Sequence, residues 1–333
     1  MKKLSVAILG FGTVGQGVRD VLCNHQDRLK EIAGIPVEIS TILIKHPEKH
    51  HTKAPHVRFT TDFQSVLDDP AIDVVFEAIV GKEPAYSYLR QCIIAGKHVI
   101  TANKEMFQAH GQELKQLAAE YDVGIGFDAT TAGGIPIIQT IQHLLQVNKI
   151  NRVQAILNGT SNYILTDMRE NGSTFDDALL KAQSLGYAES DPTNDIEGYD
   201  ALYKLKILCE LIFDEQPVWE HVKCVGISQI SAKAIKQEAA SGNRIKHIAE
   251  IALTEGAITA NIAPKSVSAE HPLYAIEGVN NAIHMKTDII GDLTLSGPGA
   301  GAFPTASAMV EDFCHIVNKH MKAEGKVTTI AYS

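Results

Sequence analysis

Leu4-Ser5-Val6-Ala7-Ile8-Leu9-Gly10-Phe11-Gly12-Thr13-Val14-Gly15 is the stretch that decides the fold. A short apolar run ends in three glycines spaced G-x-G-x-x-G, and a helical pattern continues to about residue 33. Each glycine has a physical task at a strand-to-helix turn. The first permits the tight turn, the second lets the backbone approach a pyrophosphate, and the third lets the helix lie close on the strand. The helix N-terminus then presents N–H groups to the phosphates. Taken alone, the spacing also fits a merely structural turn, so the pattern of the next hundred residues has to arbitrate.

That pattern is an alternation of strands and helices. Apolar strand patterns occupy 37–44, 73–77, 98–101 and 124–127, and helical patterns occupy 84–95 and 104–121, the first opened by Pro84 at N1. Such alternation predicts an α/β fold, a Rossmann-type doubly wound parallel sheet with helices on both faces. After residue 130 the pattern changes. Helices are expected at 137–145, 174–185 and 199–213, with strands at 150–157, 244–253, 258–263 and 282–287. Thr174-Phe175-Asp176-Asp177 has the form of a capping box, and Gly186 suits a helix stop. This describes a second, α+β domain with a more antiparallel sheet. A final helix is expected at about 303–321. The domain expectation is 1–130 for nucleotide binding and 131–301 for catalysis and dimerisation, with the C-terminal helix, 302–333, packing back on the first domain.

Composition narrows the function. The chain has 333 residues, 45% hydrophobic and 21% charged, enough to bury a sizeable core and too apolar for global disorder. Thirty basic against 39 acidic residues give a net charge of −9, which opposes nucleic-acid binding. No 18-residue apolar run is present, so no membrane span is expected. Cys23, Cys92, Cys209, Cys224 and Cys314 are far apart and form no CxxC pair, the pattern of a reducing cytoplasm with neither a disulfide framework nor structural zinc.

Several positions carry candidate chemistry. Strand 37–44 leads into Lys45, where an acid would favour the ribose hydroxyls of NAD; a cation suits a 2′-phosphate, so NADP is favoured and NAD remains open. The plain alternative is a solvated surface lysine. Lys104 comes after the strand 98–101, beyond whose carboxyl end ligands bind in such sheets; otherwise it is only a first-turn helix lysine. Residues 186–200 are rich in carboxylates, among them Glu189, Asp191 and Asp195, and lead into Asp200 and Lys204. Asp200 and Lys204, four apart, share a helix face. Spacing alone makes that an exposed pair, whereas the acidic loop beside it suits a zwitterionic substrate. Gly297-Pro298-Gly299-Ala300-Gly301 precedes the last helix and permits close approach of backbone to an anion, or is an ordinary turn. His46, His50, His51 and His56 lie in a polar loop without metal-ligand spacing.

On these motifs the chain resembles homoserine dehydrogenase over nearly its whole length. The matching segments are Gly10–Gly15, Thr101-Ala102-Asn103-Lys104, Ala132-Gly133-Gly134-Ile135-Pro136 and Leu157-Asn158-Gly159-Thr160-Ser161-Asn162-Tyr163, then Gly186-Tyr187-Ala188-Glu189-Ser190-Asp191-Pro192, the Asp200-to-Lys204 spacing, and Gly297–Gly301 with Pro304-Thr305-Ala306-Ser307. The resemblance implies reversible reduction of L-aspartate 4-semialdehyde to L-homoserine by NAD(P)H in a cytoplasmic homodimer, within aspartate-family amino-acid synthesis. It implies Lys204 as proton donor, Lys104 as a second active-site lysine near nicotinamide and substrate, and Asp200 as the orienting acid. Glu189, Asp195 and Asp200 become substrate ligands. Gly10, Phe11, Gly12, Thr13, Val14, Gly15, Lys45, Lys104 and Gly301 become cofactor contacts. It also implies a monovalent cation, sodium, held mostly by backbone carbonyls at Asp128, Thr131, Gly133 and Ile135; Asp128 stands where the family has a glutamate, and Thr131 where it has a valine. The chain stops soon after its last helix, which implies the form without an ACT-type regulatory domain or a kinase fusion. Another Rossmann oxidoreductase of amino acids, of the aspartate dehydrogenase kind, and a silent NADP(H)-binding protein are the competing readings.

Overall fold

The computed structural model describes residues 3–46, 57–213 and 215–321. His50, His51 and His56 lie outside the described residues; His46 is exposed. The chain divides into two compact units, one formed by Met1–Thr130 with Gly301–Ser333, the other by Thr131–Ala300.

In the first unit the chain runs β1 (Leu4–Leu9), α1 (Thr13–Asn24), α2 (Gln26–Ala33), β2 (Val37–Leu43), β3 (Arg58–Thr60), α3 (Gln64–Leu67), β4 (Ile72–Glu77), α4 (Ala85–Ile94), β5 (His98–Thr101), α5 (Lys104–Glu120) and β6 (Ile125–Gly126). All strand pairs are parallel, in the order β3-β2-β1-β4-β5-β6. The order reverses direction between β1 and β4, and the crevice beyond the carboxyl ends at that point is where such sheets bind ligands. All six residues of β1 are buried, so both its faces are covered, which is why it reads as a continuous apolar run. Two local expectations need correction. The helical pattern to residue 33 is broken at His25 into α1 and α2. Pro84 is the N-cap of α4, one position before N1.

The second unit contains α6 (Ile137–Leu144), β7 (Ile150–Ile156), α7 (Gly159–Asn171), α8 (Phe175–Ser184), α9 (Thr193–Ile196), α10 (Tyr199–Ile212), β8 (Lys223–Cys224), α11 (Ala232–Ala240), β9 (Arg244–Thr254), β10 (Ala257–Val267), β11 (Asn280–Thr287) and β12 (Asp292–Pro298). Its sheet runs β12-β11-β7-β9-β10-β8, antiparallel except between β10 and β8. Thr174 caps α8, accepting from Asp177 N at 3.2 Å. Ile164, Leu165 and Met168 of α7 pack with Ala178 and Ala182 of α8 and Ile235 of α11 in one apolar cluster.

The chain then re-enters the first unit as α12 (Ala302–Ile316), continued by a wider helical turn over Val317–Met321. Ala306, Met309, Val310, Phe313 and Ile316 join the core formed by β1, α1 and β4. Gly17 of α1 makes that packing possible, because a Cβ there would lie 2.6 Å from Ala302 O.

Candidate active site

In the first unit the three motif glycines are distinguished by their surroundings. Gly10 adopts φ +92°, and a Cβ on it would fall 2.6 Å from Ala78 O. A Cβ on Gly15 would fall 2.1 Å from Gly10 O, so the turn exists only with glycine there. Gly12 has φ −77°, and a Cβ on it would meet nothing within 4 Å. Nothing among the described residues requires its bareness, which fits close approach by a dinucleotide; Thr13 and Val14 open α1. Gly12 supplies no side-chain cap to α1, and the first turn carries no acid. Phe11 is buried in the core, with its ring edge on Phe59. Lys45 is exposed just beyond β2, and Gly301, at φ +121°, is the N-cap of α12.

Lys104, half-buried, is the first residue of α5. Asn103 caps that helix, its Oδ1 accepting from Met106 N at 3.0 Å. Beside it lies Glu77, fully buried at the end of β4. Burial pushes the Glu77 carboxyl up from 4.5 to about 7, against hydrogen bonds from Thr101, Ile79 and Asn103 that lower it. The folded value exceeds the unfolded one, so this group's stabilising contribution is complete below pH 4.5 and is lost as pH rises through about 7. At about 1.4 kcal/mol per pH unit the loss is about 3 kcal/mol. Urea unfolding should therefore show wild-type stability declining from pH 4.5 to 8 relative to Glu77→Gln. Parallel pH curves for the two proteins would refute the assignment.

In the second unit a single amide assembles the candidate catalytic group. Asn158 Nδ2 donates to Asp195 Oδ1 at 2.7 Å and to Asp200 Oδ2 at 2.9 Å. Lys204 Nζ donates to the same Asp200 oxygen at 2.7 Å and to Leu157 O at 2.7 Å. Lys204 is 7% exposed and Asp200 3%, so the pair is buried, and removing either partner would leave the other an uncompensated buried charge. The local sequence explains the placement. Gly198, at φ +86°, precedes α10 and faces the buried His247 ring, where a Cβ would come within 3.0 Å; α10 then places Asp200 and Lys204 one turn apart. Asn158 also caps α7 through Ser161 N at 2.8 Å. Chemically, this is a lysine fixed by one carboxylate, with a second carboxylate on the amide they share.

Not every expected residue joins the group. Glu189 is exposed; its backbone carbonyl accepts from Gln183 Nε2 at 3.0 Å, and no side-chain bond from it to Asp195, Asp200 or Lys204 is found among the described residues. Of the four cation positions, Asp128 is buried in the first unit, its N–H donating to Asp312 Oδ2 at 2.8 Å. Thr131, Gly133 and Ile135, all buried, open the second unit in a loop in which Ala132 (φ 60°) and Gly133 (φ 58°) are both left-handed and Gly134 is exposed. Carbonyl oxygens of such a loop are uncharged, hard donors, the type that replaces the hydration shell of an alkali cation. In donor type, the three carbonyls of Thr131, Gly133 and Ile135 therefore fit such an ion. No cluster of three or more His, Cys, Asp or Glu side chains suited to a metal occurs among the described residues. No helix of the described residues is long and apolar enough to cross a membrane. All five cysteines are free.

Comparison with known proteins gives the lineage. Residues 10–128 match the family model for the homoserine dehydrogenase NAD-binding domain, and residues 136–314 match that for homoserine dehydrogenase. The homoserine dehydrogenase of Bacillus subtilis is 40% identical over 324 residues, covering 97% of this chain and 74% of the relative. The crystal structure of a homoserine dehydrogenase from Thiobacillus denitrificans superposes with a TM-score of 0.92 at 38% identity, over 97% of this chain and 75% of that one. A hyperthermophilic archaeal homoserine dehydrogenase in complex with NADPH gives a TM-score of 0.79 at 27% identity, covering 99% of this chain and 100% of that one. With both family models matched in order and two-fifths identity along almost all its length, the chain belongs to the homoserine dehydrogenase family and is, with it, an NAD(P)-dependent oxidoreductase.

Proposed function

We propose that the chain interconverts L-aspartate 4-semialdehyde and L-homoserine with NADP(H), Lys204 acting as the proton donor and Asp200 as the acid that holds it. The observation that carries this reading is the buried Lys204–Asp200–Asn158 group, to which the half-buried Asp195 is joined through the Asn158 amide. Reduction of an aldehyde develops negative charge on its oxygen, and an ammonium is both an electrostatic stabiliser and a general acid for it. Asp200 and the Leu157 carbonyl fix Nζ from two sides at 2.7 Å each. Burial strengthens the charge that Nζ presents, because little solvent screens it. Asp195 and Asp200 are assigned to the substrate ammonium, and Glu189, exposed in the structure, is assigned to it as a further ligand. In the oxidative direction Lys204 accepts the hydroxyl proton.

When bound, the nicotinamide supplies or accepts the hydride. Gly10, Phe11, Gly12, Thr13, Val14, Gly15 and Gly301 would hold the dinucleotide, and Lys104 is assigned as the second active-site lysine. The carbonyls of Thr131, Gly133 and Ile135 would hold a sodium ion, which would supply a fixed positive charge to order their loop; Asp128 is assigned to the same ion by the resemblance alone. We assign the protein to the cytoplasm, as a homodimer.

The test is absorbance at the nicotinamide band with purified protein, L-homoserine and NADP or NAD in parallel at alkaline pH. Cofactor reduction that depends on homoserine supports the proposal. No reduction with either cofactor, in protein that binds NADPH and is supplied with sodium or potassium, would move the reading to another amino-acid oxidoreductase or a silent binder. Lys45 is assigned to the 2′-phosphate. Lys45→Asp should shift the ratio of kcat/KM values from NADP toward NAD by about 10-fold, the scale of replacing one exposed attraction by a repulsion. An unchanged ratio would make Lys45 a surface lysine only.

A further inference from the structure

Glu77 is 0% exposed, and the groups on its carboxyl are neutral. Thr101 Oγ1 donates to Oε2 at 2.5 Å, and Ile79 N donates to Oε1 at 2.6 Å. A buried carboxyl held by neutral groups alone is costly, and an apolar residue or an amide would serve a strand end better. Each partner leads on to another contact. Having given its proton to Glu77, the Thr101 hydroxyl accepts from Asn103 N at 2.9 Å. Asn103 Nδ2 turns back to donate to Ile79 O at 3.0 Å and to Gly81 O at 2.7 Å. The bonds close a ring through Glu77, Thr101, Asn103 and Ile79, which fastens the segment after β4 to the start of α5.

Both sides of the ring bear on groups assigned to the cofactor. On one side, Ala78 N donates to Leu9 O at 2.8 Å, and a Cβ on Gly10 would strike Ala78 O at 2.6 Å and approach Ile79 Cγ1 at 3.3 Å. Peptide 78–79 is thus the wall on which the Gly10 turn is moulded. On the other side, Lys104 is the residue after Asn103. The N–H groups of Ile79 and Asn103 can only donate, so the one free choice in the ring is the Thr101 hydroxyl, which an ionised Glu77 makes a donor to Oε2 and thereby an acceptor from Asn103 N.

We infer that Glu77 is a positioning residue which, through Thr101 and Asn103, holds the Gly10 turn and Lys104 in fixed register for the dinucleotide. The inference rests on the cofactor roles proposed above for Gly10 and Lys104.

Thr101 offers the cleanest test, because it touches neither cofactor nor substrate in that reading. Thr101→Val keeps the side-chain shape and removes the hydroxyl; Thr101→Ser keeps the hydroxyl. The readouts are the NADPH dissociation constant by nicotinamide fluorescence, kcat for homoserine at saturating cofactor, and Tm. Thr101→Val should weaken NADPH and lower kcat by about 10-fold each, the scale of removing a buried bond to a charged group. Thr101→Ser should stay within about 3-fold of wild type on both, since the bond survives. Glu77→Gln, which exchanges an acceptor for a donor, should match Thr101→Val, and serves if the latter folds poorly. A purely structural role would lower Tm in Thr101→Val while leaving NADPH binding and kcat of the folded protein near wild type. That result, or a Thr101→Ser variant as impaired as Thr101→Val, overturns the inference. If the wild-type chain binds NADPH yet oxidises homoserine with neither cofactor, the functional reading has failed instead, and the NADPH measurement alone decides this one.

Discussion

Lys204→Ala is expected to lower kcat for homoserine oxidation by about a thousandfold, the combined scale of general acid–base and electrostatic assistance from one group. NADPH affinity should stay near that of the wild type, because Lys204 belongs to Thr131–Ala300 and the dinucleotide contacts are assigned to the other unit. The variant also leaves Asp200, 3% exposed, with the Asn158 amide but without its cation. Breaking a buried pair by removing one partner costs about 3–5 kcal/mol, so Tm should fall as well. The kinetic and structural effects separate in Lys204→Ala/Asp200→Asn, where no charge is stranded: Tm should recover in part and turnover should not. Near-wild-type turnover in either variant would sink the assignment of Lys204.

The second large effect concerns the glycine turn, where two substitutions of equal chemistry should behave differently. Gly15→Ala places a methyl 2.1 Å from Gly10 O, which is backbone and cannot swing aside. The turn must open, and both Tm and NADPH binding should suffer, the latter by about 100-fold or more. At Gly12 the backbone suits any residue, and a methyl meets nothing within 4 Å. Gly12→Ala should therefore keep its Tm and still weaken NADPH by about 10-fold, because the methyl occupies the approach of the pyrophosphate. Calorimetry and fluorescence titration on the pair decide the matter. Equal Tm losses in both would mean that Gly12 is structural. Unchanged binding in Gly12→Ala would remove the dinucleotide from this turn.

Much of this was legible in the sequence, for identifiable reasons. The parallel sheet declared itself because strands buried on both faces must be apolar throughout, as in Leu4–Leu9. Turn glycines and the capping Thr174 act within a few residues, so spacing reveals them. Edge elements were less visible. β12 alternates Leu293 and Leu295 with polar residues, is nowhere fully buried, and runs into a glycine-rich turn, so its pattern is faint. The break at His25 carries no proline or glycine to announce it. Asn158 appeared only as part of a motif, because its partners are 37 and 42 residues away and only the fold brings them to one amide. Glu77 passed as the end of a buried strand. The signal for it was the strand itself: a carboxylate closing the buried apolar run Val74-Val75-Phe76 of a parallel strand has no solvent to face. The exposed position of Glu189 is what a glutamate in a polar, acidic loop predicts; only the resemblance drew it into the site.

The return of α12 to the first unit has a consequence for synthesis on the ribosome. Thr131–Ala300 is contiguous and can fold as soon as it emerges, whereas the sheet begun at Leu4 must wait for residues after 300 before Met309 and Phe313 can fill its core. The half that begins first is therefore completed last. Until then the apolar face that awaits α12 is a place where a nascent chain is open to aggregation and to chaperones.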